Sequence, residues 1–131
     1  MNQTYQNVAK AVVRGIDIAG GYTHGIRLIG GGSESLSGRV FASYLASNEQ
    51  VSSNGVRTEY AGDVGTSGLP AWKVTAYLQY GDGPFTAFFE GRFIDGGKLN
   101  ALYNLTAWDV ANNHVPSVSY YDFRCDIHVS E

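Results

Sequence analysis

The sequence predicts an all-β fold, specifically an eight-stranded antiparallel up-and-down β-barrel that forms one domain over residues 1–131. Three observations predict it. Glycine (17 residues) and tyrosine (9) are abundant while proline (3) is scarce. Apolar and polar side chains alternate along several runs, as in half-buried strands. Short turns separate these runs, so sequential hairpins favour a barrel, with a two-sheet sandwich as the alternative architecture.

The turns divide the chain into eight expected strands. The first four are Val8–Ile18, Thr23–Ile29, Leu36–Ala46 and Val56–Ala61, and the last four are Ala71–Tyr80, Phe85–Ile94, Leu99–Val110 and Ser117–Val129. Residues 1–6 are polar and are expected to be frayed.

Local chemistry justifies these boundaries. The first run is rich in β-branched residues, which favour a strand over a helix. Asn54-Gly55 is a strong turn signal. Asp95-Gly96-Gly97 can close a hairpin between the two aromatic-rich runs, because glycine enters positive φ without steric cost. The glycine-rich segments 30–33 and 62–70 are expected to be loops.

The composition and charge of the chain argue against several classes of function. The net charge of −3 is spread thinly, which argues against nucleic acid and against a polybasic membrane contact. No apolar run approaches ~20 residues and no signal-peptide pattern begins the chain, so we expect a cytoplasmic protein. Cys125 is the single cysteine, so no intramolecular disulfide forms, and we expect it to be a small buried hydrophobe.

The sequence contains none of the motifs that mark common catalytic, metal-binding or cofactor-binding sites. There is no Ser-His-Asp motif, HExxH, CxxC or dinucleotide fingerprint, so we expect neither a metal nor a cofactor. Gly30-Gly31-Gly32-Ser33 lacks the ending of a phosphate loop. The Asn104-Leu105-Thr106 sequon lies within a predicted strand and is not expected to carry a glycan. Asp122, Arg124, Asp126 and His128 share a strand face, which favours a salt-bridged outer surface over a metal site.

Candidate site residues come from polar groups inside the predicted barrel. Arg39, Tyr60 and Asn104 are the candidate catalytic residues, and Glu59 can supply the partner that a buried Arg39 needs. Aromatic rings with polar tips suit a semi-polar pocket. The candidate substrate-binding residues are His24, Tyr44, Trp72, Tyr77, Tyr103 and Trp108.

Glu90 has two interpretations. If its strand face points inward, Glu90 is a buried acid with a raised pKa and a possible general base. If the face points outward, Glu90 and Arg92 form a surface ion pair of small energetic value.

A series of short motifs resembles a family of calycin-like small barrels, largely of unknown function, whose fold is similar to that of allene oxide cyclase. In order they are His24-Gly25, Gly31-Gly32, Leu36-Ser37-Gly38-Arg39-Val40, Asn54-Gly55-Val56, Phe93, Tyr103-Asn104 and Ser119-Tyr120-Tyr121. The chain departs from the pattern in the loop Gly62–Pro70, and has Asn54-Gly55 where the family usually has Asp-Gly. The resemblance implies a barrel with a central pocket for a small organic molecule.

The resemblance leads us to expect a cofactor-independent cyclase or isomerase that acts on a small, largely apolar substrate of secondary metabolism. Such chemistry needs a shaped cavity and a few polar groups. A non-catalytic carrier of a small molecule is one alternative, and a carbohydrate-binding β-sandwich (a lectin) is another. We also expect a homo-oligomer, since the strand Leu99–Val110 has two apolar faces and can bury its outer face against a neighbour.

Overall fold

The computed structural model describes residues 8–29, 32–103 and 111–129. Within these ranges the chain forms eight β-strands and no helix, and therefore no helix of the length and apolarity needed to cross a lipid bilayer. The strands are β1 (Val8–Gly25), β2 (Ser35–Ser52), β3 (Arg57–Glu59), β4 (Trp72–Asp82), β5 (Phe85–Ile94), β6 (Gly97–Lys98), β7 (His114–Val115) and β8 (Val118–Ile127).

Six of the strands form one sheet. The order is β1-β2-β4-β5-β8, and β3 pairs with β2 in antiparallel register, with Glu49 opposite Glu59. The short strands β6 and β7 form a separate antiparallel pair. The prediction of an all-β, antiparallel fold is confirmed. The described strands do not close into a barrel, because β1 and β8 end the strand order at opposite sides and do not pair with each other.

The first two predicted strands are one strand in the structure. β1 continues for 18 residues through the glycine pair Gly20-Gly21, where the sequence predicts a turn. Neither glycine has a positive φ, so both stay in the extended conformation that any residue adopts. β2 also has 18 residues and extends past Ala46, because β3 pairs with its last third.

The expected partner strand of β5 is not formed where the structure describes it. Leu99–Tyr103 is a bend followed by a turn, and residues 104–110 lie outside the described ranges. Gly97 belongs to β6 rather than to a hairpin turn, and a Cβ atom there would lie 2.1 Å from the carbonyl oxygen of Gly62. Glycine is therefore required at this position for close backbone approach and not for a positive φ.

The chain divides into two compact units. Unit 1 comprises Met1–Ile16, Ser43–Trp72 and Ile94–Val118, and unit 2 comprises Asp17–Ala42, Lys73–Phe93 and Ser119–Glu131. The strands β1 and β2 are divided between the two units, and β4, β5 and β8 each have one terminal residue in unit 1 and the rest in unit 2.

Neither unit has a buried apolar core among the described residues. The side chains with the least exposure belong to Glu34 and Asp63, and no hydrophobic side chain is fully buried. Cys125, expected to be buried, is exposed. Hydrophobic burial is the main favourable term in folding, and several large apolar side chains of these strands, such as Tyr22 (73% exposed) and Phe123 (71%), keep most of their own surface open.

Asp63 is the buried centre of unit 1. Its carboxylate has no exposed surface and accepts hydrogen bonds from the backbone N–H groups of Thr66 (3.0 Å), Ser67 (3.2 Å) and Ala101 (3.0 Å). Burial raises the pKa of Asp63, but these hydrogen bonds together outweigh it and hold the pKa below its ordinary value. One side chain thus joins the loop 62–70 to the turn that follows Leu99.

We expect Asp63→Asn to destabilise the protein by about 1–3 kcal/mol, because the amide places a donor against one of these N–H groups. Urea unfolding near neutral pH measures the change. Ser67→Ala is the matched control, since it removes a single 3.4 Å hydrogen bond to Asp63. An Asn variant as stable as the Ser67 variant contradicts the assignment.

The same carboxylate predicts a pH dependence. Because the folded-state pKa of Asp63 is lowered, its contribution is complete above the unfolded-state pKa of about 3.9 and is lost as the pH falls through the folded-state value. The stability deficit of Asp63→Asn should therefore shrink on acidification in parallel unfolding curves. A deficit that stays constant into the acid range contradicts the prediction.

Candidate functional site

A cleft of about 460 Å³ lies on one face of the sheet in unit 2. Three neighbouring strands supply its walls: Ser37, Arg39 and Phe41 from β2, Tyr77 and Gln79 from β4, and Phe88 from β5. We call this feature the Arg39 cleft. Its volume is in the range of ordinary small-molecule sites, which span about 300–1,000 Å³.

Alternation along the strands explains why these side chains meet. Successive side chains of a strand point to opposite faces, so Arg39 and Phe41 share a face. The ring of Tyr77 makes an edge contact with Phe41 (centroids 6.1 Å apart) and a tilted contact with Phe88 (5.9 Å). The three rings form a continuous aromatic wall across β2, β4 and β5.

The stem of Arg39 lies close to the neighbouring strand β1. A Cβ atom at Gly21 of β1 would lie 3.0 Å from Cγ of Arg39, so glycine leaves room for the stem of the arginine. Next to it, the hydroxyl groups of Thr23 and Ser37 are 2.9 Å apart and hydrogen-bonded. Small residues on β1 thus let the long side chain lie along the sheet.

Several other charges on this face are paired. Arg92 contacts Glu90 (3.3 Å) and Asp122 (3.0 Å). Arg124 contacts Asp126 (2.9 Å), and its guanidinium lies 5.7 Å from the ring centroid of Phe88. Glu90 is therefore in a surface ion pair rather than acting as a buried base.

Arg39 has no ion-pair partner in the part of the chain that the structure describes. The expected partner, Glu59, belongs to unit 1, where its carboxylate accepts hydrogen bonds from Ser47 Oγ (2.6 Å) and from the N–H groups of Asn48 (2.5 Å) and Ala61 (2.9 Å). Partial burial raises the pKa of Glu59, but these hydrogen bonds outweigh it and lower the pKa overall.

Other predicted site residues belong to unit 1. Tyr44 and Trp72 stack with their ring centroids 4.5 Å apart. Tyr60 donates its backbone N–H to the carbonyl of Asn48, and the backbone N–H of Tyr103 binds the carbonyl of Asn100. Asn104 and Trp108 lie outside the described residues.

Of the predicted set, Arg39 and Tyr77 line the same cleft. Four other lining residues were missed: Ser37, Phe41, Gln79 and Phe88. The signal that could have found them is alternation, because Ser37, Arg39 and Phe41 occupy every second position of one strand.

His24 lies on the opposite face of the sheet in unit 2. Its ring stacks on Tyr22 with centroids 6.0 Å apart, and its Nδ1 is 3.5 Å from the tyrosine hydroxyl. Both residues line a shallow depression with Leu36 and Leu78. His24 is thus placed in an apolar surface, away from the Arg39 cleft.

A second pair of polar groups holds the loop before β2. The carboxylate of Glu34, almost fully buried, accepts hydrogen bonds from the N–H groups of Leu28 (2.6 Å) and Ile29 (3.1 Å). The hydroxyl of Tyr80 faces this carboxylate. Burial, then the nearby carboxylate of Glu34, then the charge of Asp82 raise the pKa of Tyr80. The arrangement anchors residues 26–29 to the end of β4.

We expect Tyr80 to ionise later than an exposed tyrosine when the protein is titrated with base, since burial and nearby carboxylates disfavour the phenolate. Glu34→Gln should move the pKa of Tyr80 back towards the ordinary value of about 10. Near-ultraviolet absorbance measures the titration, and Tyr80→Phe identifies the late component. Tyr22→Phe is the control that should leave it in place. Loss of the late component in the control would overturn the assignment.

Comparison with protein-family models, with curated proteins and with solved structures found no match. Among the described residues, no group of three or more His, Cys, Asp and Glu side chains is placed to hold a metal ion.

Proposed function

We propose that this protein binds a small organic anion with a flat apolar body in the Arg39 cleft. The observation that carries the proposal is that Arg39 lines the same cleft as the aromatic wall of Phe41, Tyr77 and Phe88. The cleft lies on the face of an open run of strands, in place of the barrel cavity expected from the sequence.

The charge of the cleft supports an anionic ligand. Arg92 and Arg124 already have carboxylate partners, whereas none of the ion pairs within the described ranges includes Arg39. A guanidinium presents donors in a planar fork that matches a carboxylate or sulfonate group. Ser37 and Gln79 add neutral donors and acceptors at the same rim.

The aromatic wall supports a flat apolar body. Aromatic rings attract other rings in offset or edge-on geometry, worth about 0.5–1.5 kcal/mol beyond area burial. Tyr77 touches a ring on either side and is the centre of the wall. A ligand with one ring and one acidic group can use the wall and Arg39 together.

If the protein also transforms the ligand it binds, we propose that it does so as a cofactor-independent cyclase or isomerase. Arg39 can stabilise negative charge that develops on a bound substrate, and the wall can hold the substrate in a reactive conformation. Product formed in many-fold excess over protein supports the enzyme. Binding without turnover supports the carrier instead.

We expect Arg39→Gln to weaken binding of benzoate by about 10–100-fold, because a charge-assisted hydrogen bond is lost. Chemical-shift mapping of backbone amides measures the affinity and locates the ligand. The shifts should be largest at residues 37–41 and 77–79. Arg57→Gln is the control, since Arg57 is an exposed arginine of unit 1 paired with Glu49.

Benzamide separates charge from shape. It keeps the ring and removes the acid, so it should bind the wild-type protein more weakly and be insensitive to Arg39→Gln. Equal binding of benzoate by the wild-type and Arg39→Gln proteins contradicts the proposal. Preferential binding of neutral saccharides, unaffected by Arg39→Gln, would support the lectin alternative.

A further inference from the structure

The face of unit 2 opposite the Arg39 cleft is uncharged. We call it the uncharged face. In β1, β2 and β4 it consists of the even-numbered residues of 18–24, 36–42 and 74–80. In β5 and β8 it consists of the odd-numbered residues of 85–93 and 121–127. It contains no Asp, Glu, Lys or Arg. Every charged side chain of these strand segments, such as Arg39, Glu90 and Asp122, belongs to the other face.

Contacts across the strands establish this assignment. The depression that holds His24 joins Tyr22 of β1 to Leu36 of β2 and Leu78 of β4. The ring of Tyr80 contacts Phe85, which joins β4 to β5, at a centroid distance of 6.2 Å. The rings of Phe89 and Tyr121 stack 6.0 Å apart and join β5 to β8. The five segments therefore present one common surface.

Large apolar side chains of that surface are exposed. The exposed fractions of Tyr121, Phe123 and Ile127 are 70%, 71% and 69%, and that of Tyr22 is 73%. Contiguous apolar patches of this kind mark interaction sites.

We propose that the uncharged face packs against the same face of a second copy of this chain, so that two sheets form a sandwich with a shared apolar interior. This places the interface on the side of unit 2 away from the Arg39 cleft. Packed sheets lie about 10 Å apart, and a two-fold interface uses the same patch on both subunits.

The size of the face fits a stable dimer. Five strands about 4.8 Å apart and seven residues of about 3.3 Å each give a patch of roughly 24 Å by 23 Å. Allowing for side-chain relief, two such patches bury on the order of 1,100–1,600 Å² in total, which is the size of a standard specific interface.

The chemistry of the face favours a copy of itself over other partners. Large side chains such as Phe89 and Tyr121 alternate with small ones such as Gly91 and Ala87, so one patch supplies both the projections and the depressions that a self-contact needs. No charge on the face would be left unpaired when two copies meet. A lipid surface is less favoured, because surfaces that bind anionic membranes carry Lys and Arg and this face has none.

Phe123→Asp tests the proposal in the full-length protein. Phe123 is 71% exposed, so the substitution is mild in a monomer but places a charge inside the shared interior of a dimer. We expect sedimentation equilibrium to give the mass of two chains for the wild type. The variant should raise the dissociation constant by about a hundredfold or more.

Tyr120→Asp is the matched control. It makes the same kind of substitution three positions earlier in β8, on the charged face, where Tyr120 lies under the guanidinium of Arg92. We expect this variant to remain a dimer. Equal dissociation of the two variants, or a wild type with the mass of one chain, would overturn the proposal. So would a wild-type mass of three chains, which a two-fold contact does not produce.

Cys125 provides a second measurement if Phe123→Asp fails to fold. It is the only cysteine of the sequence and lies on the uncharged face between Phe123 and Ile127. A maleimide reagent should label it about tenfold more slowly in the concentrated wild-type protein than after dilution below the dissociation constant. Labelling that is fast at every concentration, in a protein with native circular dichroism, contradicts a covered face. Benzoate binding at the Arg39 cleft is measured separately, so either proposal can fail alone.

Discussion

The constraint on which the structure depends is that its strands carry apolar side chains which the described part of the chain does not bury. Hydrogen-bonded strand pairing fixes the backbone of each strand, but pairing alone leaves both faces of a sheet open to water. Hydrophobic burial supplies the main driving force for folding, and here no hydrophobic side chain of the described residues is fully buried. Burial of these side chains therefore requires a surface that covers the sheet. The uncharged face of unit 2 is the continuous apolar surface that we propose is covered.

The buried carboxylates stabilise loops through hydrogen bonds rather than through apolar burial. Asp63 and Glu34 each satisfy several backbone N–H groups of a loop that has no other regular structure. A carboxylate in such a position is stable only while its acceptors are used, because an unpaired buried charge is costly. These two residues thus fix loops rather than fill a core.

Much of the fold could be predicted from alternation, and the rest could not for identifiable reasons. Strands β4, β5 and β8 follow period-two patterns and lie close to their predicted bounds. The turn predicted at Gly20-Gly21 failed because glycine also permits an extended strand in which a neighbour's long side chain, that of Arg39, lies close. The role of Asp63 depends on the N–H of Ala101, a contact across 38 positions that no local pattern encodes. Barrel closure likewise depends on pairing between β1 and β8, which period-two spacing does not specify.

The candidate site shows the same division between local and long-range information. Arg39 and Tyr77 could be singled out as residue types, whereas the aromatic wall depends on the strand order that sets β4 between β2 and β5. That order also separates two chemistries on one sheet. Charges and the Arg39 cleft share one face, and the five strand segments that form the uncharged face carry no Asp, Glu, Lys or Arg. Burying the uncharged face against a copy of the chain therefore leaves the cleft open, so assembly and ligand binding can occur in the same molecule.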